Sequence, residues 1–565
     1  MNRPMLTDRF LSFCRQSLLG SGLGLLLSVP LAARPAQAVQ RIYFSYGAFE
    51  RSVSFEAIET YARTGKITGD LVAYARYATP EQLEQLREIL QARADIDAVA
   101  VSQFLYTEQG EAILERVGNL IQTESHKSGF YAIRSALILA AADSQEGLTP
   151  LNFLRQFPLA GLRVEIDRTL AIADELEDLV NESTAALAAV QTEFELEAAT
   201  PIDPALPDLR TPGPNRSQRQ TITLVNRQRD RVFLADVYLP VAPANRPPLP
   251  AAPVIVISHG LGSDRTSFAY LAEHLASYGF AVALVEHPGS NTAQLEALLS
   301  GRAGEVIQPE EFVDRALDIR LLLNDLNRRS RNDPLFRGRL NVQQVGVIGQ
   351  SFGGYTALAL AGAEINRDQL RQDCPPGDSF NLSLLLQCQA NDLPQRTPRL
   401  RDDRIKAVMA LNPFNSSIFG QENLAPINLP VMIVSGSADT VTPALFEQIR
   451  PFTWLTTPDR FLLLLRGGTH FSTIGPSENP AVDLPPEVIG PDPTIARRYI
   501  SAFSVAFFQT YLANQPSYRP YLSAAYANRL SQAPLPLQLV RSLTPEQLAT
   551  SLSNSSDRTP TPSRD

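Results

Sequence analysis

Histidine and cysteine are scarce, and their scarcity narrows the chemistry. Only five His occur in 565 residues, with no H-E-x-x-H and no zinc-type spacing of Cys and His. A metal enzyme is not expected from such a set, and each histidine has to be weighed singly. No basic run occurs, and the formal net charge is −9. An acidic chain without a basic patch is a poor partner for nucleic acid. The uncharged apolar stretch Leu18–Leu31 is short for a membrane span.

That stretch reads instead as part of an export signal. Arg3, Arg9 and Arg15 precede it, and Ala36-Gln37-Ala38 offers small residues for cleavage after Ala38. An uncleaved anchor is the alternative. Cys14 lies ahead of the apolar run, so it is not placed as a lipid-modified first residue. Removing Met1–Ala38 takes away four Arg and one Asp and moves the formal charge to −12. Past the signal only Cys374 and Cys388 remain. Two cysteines in an exported chain point to one disulfide closing a small loop, with two unpaired thiols as the alternative.

A chain of this length predicts two or more domains. Residues 39–199 read as helical. Thr79-Pro80-Glu81-Gln82 is a capping box with Pro at the first helical position, and Leu83, Leu86, Ile89 and Leu90 follow on one face. Tyr131–Ala142, a segment opened by Thr149-Pro150, and the long Asp167–Glu197 continue the helical pattern. Residues 200–217 carry five prolines and no apolar period, which predicts a linker. From 218 to 515 the pattern is that of an α/β domain. Thr221–Tyr238 alternates like two short strands. Apolar strands then recur at Val254–Ile257, Phe280–Val285, Val345–Ile348, Ala407–Leu411, Val431–Ser435 and Phe461–Leu465, with helices between them. Continuous apolar strands separated by helices call for a parallel sheet covered on both faces. Residues 367–403 interrupt this rhythm, contain both mature cysteines, and read as a lid or a surface excursion. Ile500–Leu512 reads as a final helix on the sheet. Residues 516–565 form an extension whose end, Ser551–Asp565, is polar and reads as disordered.

The chemistry centres on Val345–Tyr355, V-G-V-I-G-Q-S-F-G-G-Y. An apolar strand runs through Gly349-Gln350-Ser351-Phe352-Gly353 into helix-forming Thr356-Ala-Leu-Ala-Leu-Ala. This is the strand, turn and helix of a nucleophile elbow. Gly349 and Gly353 keep Cβ atoms out of the space where strand and helix approach. A serine hydroxyl is a weak nucleophile and needs a base, itself oriented by an acid. His470 follows the last strand across Arg466-Gly467-Gly468-Thr469 and is the candidate base. His259 and His287 each follow a strand but precede the serine, against the order serine, acid, histidine. His274 lies within a helix, and His126 has no evident partner. Asp439, in the loop after Val431–Ser435, is the candidate acid. Glu447 and Asp459 are displaced from strand ends, and Asn412 and Pro413 leave no acid after the preceding strand. The backbone N–H groups of Phe352 and of Leu261, within Ser258-His259-Gly260-Leu261-Gly262, are the candidate oxyanion donors.

His259-Gly-Leu-Gly-Ser-Asp-Arg265, Leu275-Ala-Ser-Tyr-Gly-Phe280, Val285-Glu-His287 and Ser351-Phe-Gly-Gly354 resemble the platelet-activating factor acetylhydrolase branch of the α/β-hydrolases. The likeness covers roughly Thr221–Leu512. It implies a calcium-independent esterase acting on short or oxidised acyl groups of phospholipids. Gln350 stands where that family usually carries His. The region Val39–Asp174, with its R-I-Y-F-S-Y-G, resembles a helical domain of unknown function that precedes hydrolase domains in photosynthetic bacteria.

The sequence therefore predicts an α/β-hydrolase fold behind an all-helical first domain, and an exported serine esterase needing no cofactor. A small-molecule or lipid ester is the expected partner, and contact with a membrane surface stays open. A serine peptidase on the same triad and a non-enzymatic envelope-binding protein are the rival readings.

Overall fold

The computed structural model describes residues 39–46, 49–94, 96–374, 381–482 and 486–556. The proposed signal Met1–Ala38 and the tail 557–565 lie outside these described residues.

Nine strands form the main sheet: β5 (Arg216–Asn226), β6 (Arg231–Val241), β7 (Ala252–Ser258), β8 (Ala281–Val285), β9 (Leu340–Gln350), β10 (Ile405–Leu411), β11 (Val431–Gly436), β12 (Arg460–Leu465) and β13 (Leu537–Val540). Their order is β13-β12-β11-β10-β9-β7-β8-β6-β5. The central pairs from β8 through β12 are parallel, while β5, β6 and β13 run antiparallel at the edges. The parallel strands are buried on both faces, which is why they read as unbroken apolar runs. Helices Ala269–Ser277, Glu311–Asn332, Phe352–Ala361 and Pro493–Tyr511 supply the covering layers. This is the α/β-hydrolase fold. A parallel sheet opens its ligand crevice at the carboxyl ends of its strands, and β7, β9, β11 and β12 end where the candidate residues begin.

The first region departs from the all-helical expectation. Beside its helices it holds a four-stranded sheet, β2-β1-β4-β3, built from β1 (Arg41–Tyr46), β2 (Phe49–Ser54), β3 (Ile121–Thr123) and β4 (Gly161–Glu165). The predicted capping box is present: Gln82 N–H donates to Thr79 Oγ1 at 3.2 Å, and Thr79 N–H donates to Gln82 Oε1 at 2.9 Å.

The stretch 200–217 is pinned rather than loose. Leu209 is buried in the main core, its carbonyl lies 3.0 Å from His274 Nε2, and Asn215 N–H donates to Ser277 O at 3.1 Å. Ahead of it, helix Ile166–Ala198 buries Ala186, Ala189, Val190 and Phe194 in the same core. The extension beyond 515 also belongs to the fold. It adds helix Ala524–Leu530, strand β13 and helix Pro545–Ser556, so part of the stretch expected to be disordered is helical.

Residues 367–403 pack against the body of the hydrolase, and none of their described members lines the cavity below. The carboxylate of Glu447 holds them. Its Oε1 accepts from Asn381 Nδ2 at 2.6 Å and Ser383 Oγ at 2.8 Å, and its Oε2 accepts from the N–H groups of Asn415 and Ser416. Cys374 and Cys388 sit at disulfide distance, with Cα atoms 5.7 Å apart. Intact-mass analysis of the non-reduced protein is expected to show two hydrogens fewer than after reduction. Two freely alkylated thiols would overturn the pairing.

Candidate active site

β9 delivers Ser351 through a turn that only a crowded, glycine-permitted backbone can make. Ser351 has φ 55° and ψ −115°, a left-handed conformation that L-residues avoid. A Cβ on Gly349 would strike the Gly353 carbonyl, and one on Gly353 would strike the Ser258 carbonyl. The two glycines therefore let β9, the following helix and the end of β7 come together. The Ser351 hydroxyl makes no hydrogen bond to a described residue, and the side chain lines a cavity that His470 also lines.

His470 and Asp439 meet from the loops after β12 and β11. His470 Nδ1 lies 2.8 Å from Asp439 Oδ2, with both side chains buried. Asp439 also accepts from Asn412 Nδ2 at 2.7 Å, from Thr442 Oγ1 at 2.8 Å, and from the N–H groups of Val441 and Thr442, each at 2.8 Å. Burial alone would raise its pKa. The His470 ring and the Thr442 hydrogen bonds outweigh that and hold the carboxyl below the usual aspartate value. The competing acids are engaged elsewhere. Glu447 anchors the insertion, and Asp459 accepts from Tyr511 Oη and Arg519. Asn412, noted from the sequence only as no acid, and Thr442 both donate to the Asp439 carboxylate, a role not assigned to either from the sequence. The signal for Asn412 was its place directly after β10, where it takes φ 45°.

The loop after β7 passes over Ser351. A Cβ on Gly260 would lie 3.3 Å from Ser351 Cβ. The N–H groups of Leu261 and Phe352 donate to no described residue. Gln350 Nε2 donates to the His470 carbonyl at 3.2 Å, so the residue before the serine steadies the histidine loop. His259 and His287 are fully buried behind this loop, and His274 Nε2 lies 3.0 Å from a backbone carbonyl. His126 is exposed, 3.9 Å from Glu165.

The shared cavity has a volume of about 670 Å³ and is walled mainly by Leu261, Leu295, Val306, Phe471, Ile474 and Val482. The wall after His470 folds back on the loop after β7: Gly475 N–H donates to Ser267 O at 2.8 Å, and Glu478 N–H to Thr266 Oγ1 at 2.9 Å. Helix Thr292–Leu299, which brings Thr292 and Leu295 to the cavity, packs on its other side against helix Ala98–Leu105 of the first region. Among the described residues no cluster of His, Cys, Asp and Glu is arranged to hold a metal ion, and no helix is long and apolar enough to cross a membrane.

Comparison with known proteins agrees with this architecture. The family described as "Platelet-activating factor acetylhydrolase, isoform II" matches residues 231–312, which span β6, the loop after β7 and the cavity helix. The chain has the α/β-hydrolase fold. A second family, described as "Alpha/beta hydrolase of unknown function (DUF1400)", matches residues 38–165, the region outside the main sheet. Cutinase 2 of Thermobifida cellulosilytica is 24% identical over 276 residues, which cover 47% of this chain and 71% of that protein. Cutinase cut1 of Thermobifida fusca is 24% identical over 276 residues, covering 47% of this chain and 59% of its own length. The platelet-activating factor acetylhydrolase of Canis lupus familiaris is 29% identical over 137 residues, 19% of this chain and 31% of that protein. These relatives support a hydrolase of carboxylic esters.

Proposed function

We propose that the chain is an exported serine esterase whose acyl-enzyme forms on Ser351. The carrying observation is convergence. Ser351 at its strained elbow, His470 and Leu261 line one largely apolar cavity, Asp439 stands behind His470, and the N–H groups of Leu261 and Phe352 have no partner among the described residues. Ser351 Oγ attacks the ester carbonyl while His470 Nε2 takes its proton across a hydrogen bond that forms once substrate is bound. Asp439 fixes the ring so that Nδ1 carries the other proton. The Leu261 and Phe352 N–H groups receive the oxyanion. His470 then protonates the leaving alcohol, and a water activated by the same ring releases the acid. The cavity walls suit an acyl group of apolar character, and the cutinase and acetylhydrolase relatives favour an ester over an amide.

A panel of soluble esters of graded acyl length, with a matched amide, tests the reading. Ester turnover well above amide turnover is expected. Turnover of the amide alone would favour the peptidase reading, and turnover of neither would favour a binding protein.

The first region is proposed to shape access rather than chemistry. Its helix Ala98–Leu105 backs the cavity helix Thr292–Leu299, and no candidate catalytic residue lies within it. A chain starting near Asn181 keeps the buried residues Ala186, Ala189, Val190 and Phe194 on the hydrolase core. If that protein is folded and monodisperse, it is expected to retain turnover of a short ester and to shift its preference among longer ones. An unchanged acyl-length profile would sink the access role.

A further inference from the structure

The loop carrying Leu261 is held from behind by a buried imidazole. His259 is 1% exposed. Its Nε2 accepts the backbone N–H of His287 at 3.1 Å, which leaves Nδ1 to carry the proton of a neutral ring. Nδ1 lies 2.7 Å from the Gly260 carbonyl oxygen and so donates to it. Burial, aided by the neighbouring Arg315 guanidinium, pushes the His259 pKa down to about 3, so the ring stays neutral at neutral pH.

The consequence runs through one peptide plane. In a trans peptide the C=O and the following N–H point to opposite sides. Holding the Gly260 carbonyl on the His259 side turns the Leu261 N–H away from it, toward the space over Ser351. The next peptide is held separately, by Gly262 N–H donating to Ser290 O at 2.9 Å. Ser263 N–H gives the Gly260 carbonyl a second, longer bond of 3.4 Å. Arg315 closes the arrangement. It donates to the His259 carbonyl and, at 2.7 Å, to Ser290 Oγ, and its guanidinium lies 4.6 Å from the centre of the Phe352 ring.

We infer that His259 is a positioning residue that aims the Leu261 N–H at the oxyanion through the Gly260 carbonyl. The inference rests on the esterase reading above. His259 acts at one remove and touches no reacting atom. Its bond replaces the adjustment a free glycine loop would otherwise make as charge develops, which is where preorganised donors act.

Two substitutions separate the roles of the two ring nitrogens. In His259→Asn the side-chain amide nitrogen can stand near the Nδ1 position and still donate to Gly260. In His259→Gln the amide stands near the Nε2 position and loses that bond. The glutamine variant is expected to lose about 10²–10³-fold in kcat, the effect of one misplaced oxyanion donor, with little change in KM. The asparagine variant is expected to keep kcat within about tenfold of the parent, because the donor is retained. Both remove the same ring, so their Tm values should be alike. Equal losses in the two variants would mean a merely structural role, and parental kcat in the glutamine variant would overturn the inference. Nitrogen-15 spectra of the unmodified protein give a second readout. They should show His259 protonated at Nδ1 and bare at Nε2 at neutral pH, and the opposite tautomer would also overturn it. If the parent protein turns over no ester but a fluorophosphonate labels Ser351, the labelling rates of the variants replace kcat. If it is neither active nor labelled, the esterase reading fails first and takes this one with it.

Discussion

Ser351→Ala is expected to lower ester turnover by about 10⁴-fold or more while the protein unfolds at an unchanged Tm. The size follows from the proposed mechanism: without Oγ no acyl-enzyme forms, and only positioning and the oxyanion donors remain to help a water attack directly. The neutral stability follows from the structure. The hydroxyl has no hydrogen-bond partner among the described residues, so its removal leaves no polar group stranded. The left-handed backbone at this position is as costly for alanine as for serine, and the glycines around it hold the turn in either case. A fluorophosphonate should label the parent at Ser351 and leave the alanine variant unmarked. Turnover by the variant within about tenfold of the parent would remove Ser351 from the chemistry.

What the sequence made legible follows burial. Strands β7 to β12 are covered on both faces, so their apolar runs stand out against the helices between them. β13 has four residues between prolines and serines, and β3 has three, too few for a period to show. β2, F-E-R-S-V-S, is polar with a single buried residue, Val53, so no strand alternation shows in a region that read as helical. The prolines of 200–217 predicted a linker, and proline breaks helices without preventing the residues between from packing, so Leu209 packs into the core. Ser351, Asp439 and His470 stood out as candidates because each follows a strand and their order along the chain is informative. The residues that support them were not. Arg315 and Asp318 lie on helix Glu311–Asn332, and charged residues of a helix that covers a sheet ordinarily take its solvent side. They are instead buried against Ser258, His259 and His287, from strands distant in sequence. A partnership that only the sheet order creates leaves no local signal.

Asp439→Asn is the second large effect, at about 10⁴-fold in kcat. In the parent, Oδ1 accepts the Val441 and Thr442 N–H groups, while Oδ2 faces His470 Nδ1, Asn412 Nδ2 and Thr442 Oγ1. An asparagine must keep its oxygen on the two backbone donors, so its NH₂ takes the Oδ2 place. There it donates to His470 Nδ1 and forces the proton onto Nε2, which can then no longer accept from Ser351. The residual rate should rise with hydroxide concentration, because solvent base must do what Nε2 cannot. The loss should stay smaller than that of Ser351→Ala, since the nucleophile and oxyanion donors remain. The Asn412 amide supplies a sharper test, because it lies 2.7 Å from the carboxylate oxygen that faces His470. Asn412→Asp combined with Asp439→Asn exchanges the two groups and returns a carboxylate to the histidine from the end of the neighbouring strand. Aspartate tolerates the left-handed backbone found there about as well as asparagine does. The double variant is expected to recover about tenfold or more over Asp439→Asn alone and to regain a rate that levels off with pH. A double variant as slow as the single one, with the same hydroxide dependence, would mean that the carboxylate is needed from the β11 loop itself. Parental activity in Asp439→Asn would remove Asp439 from the triad altogether.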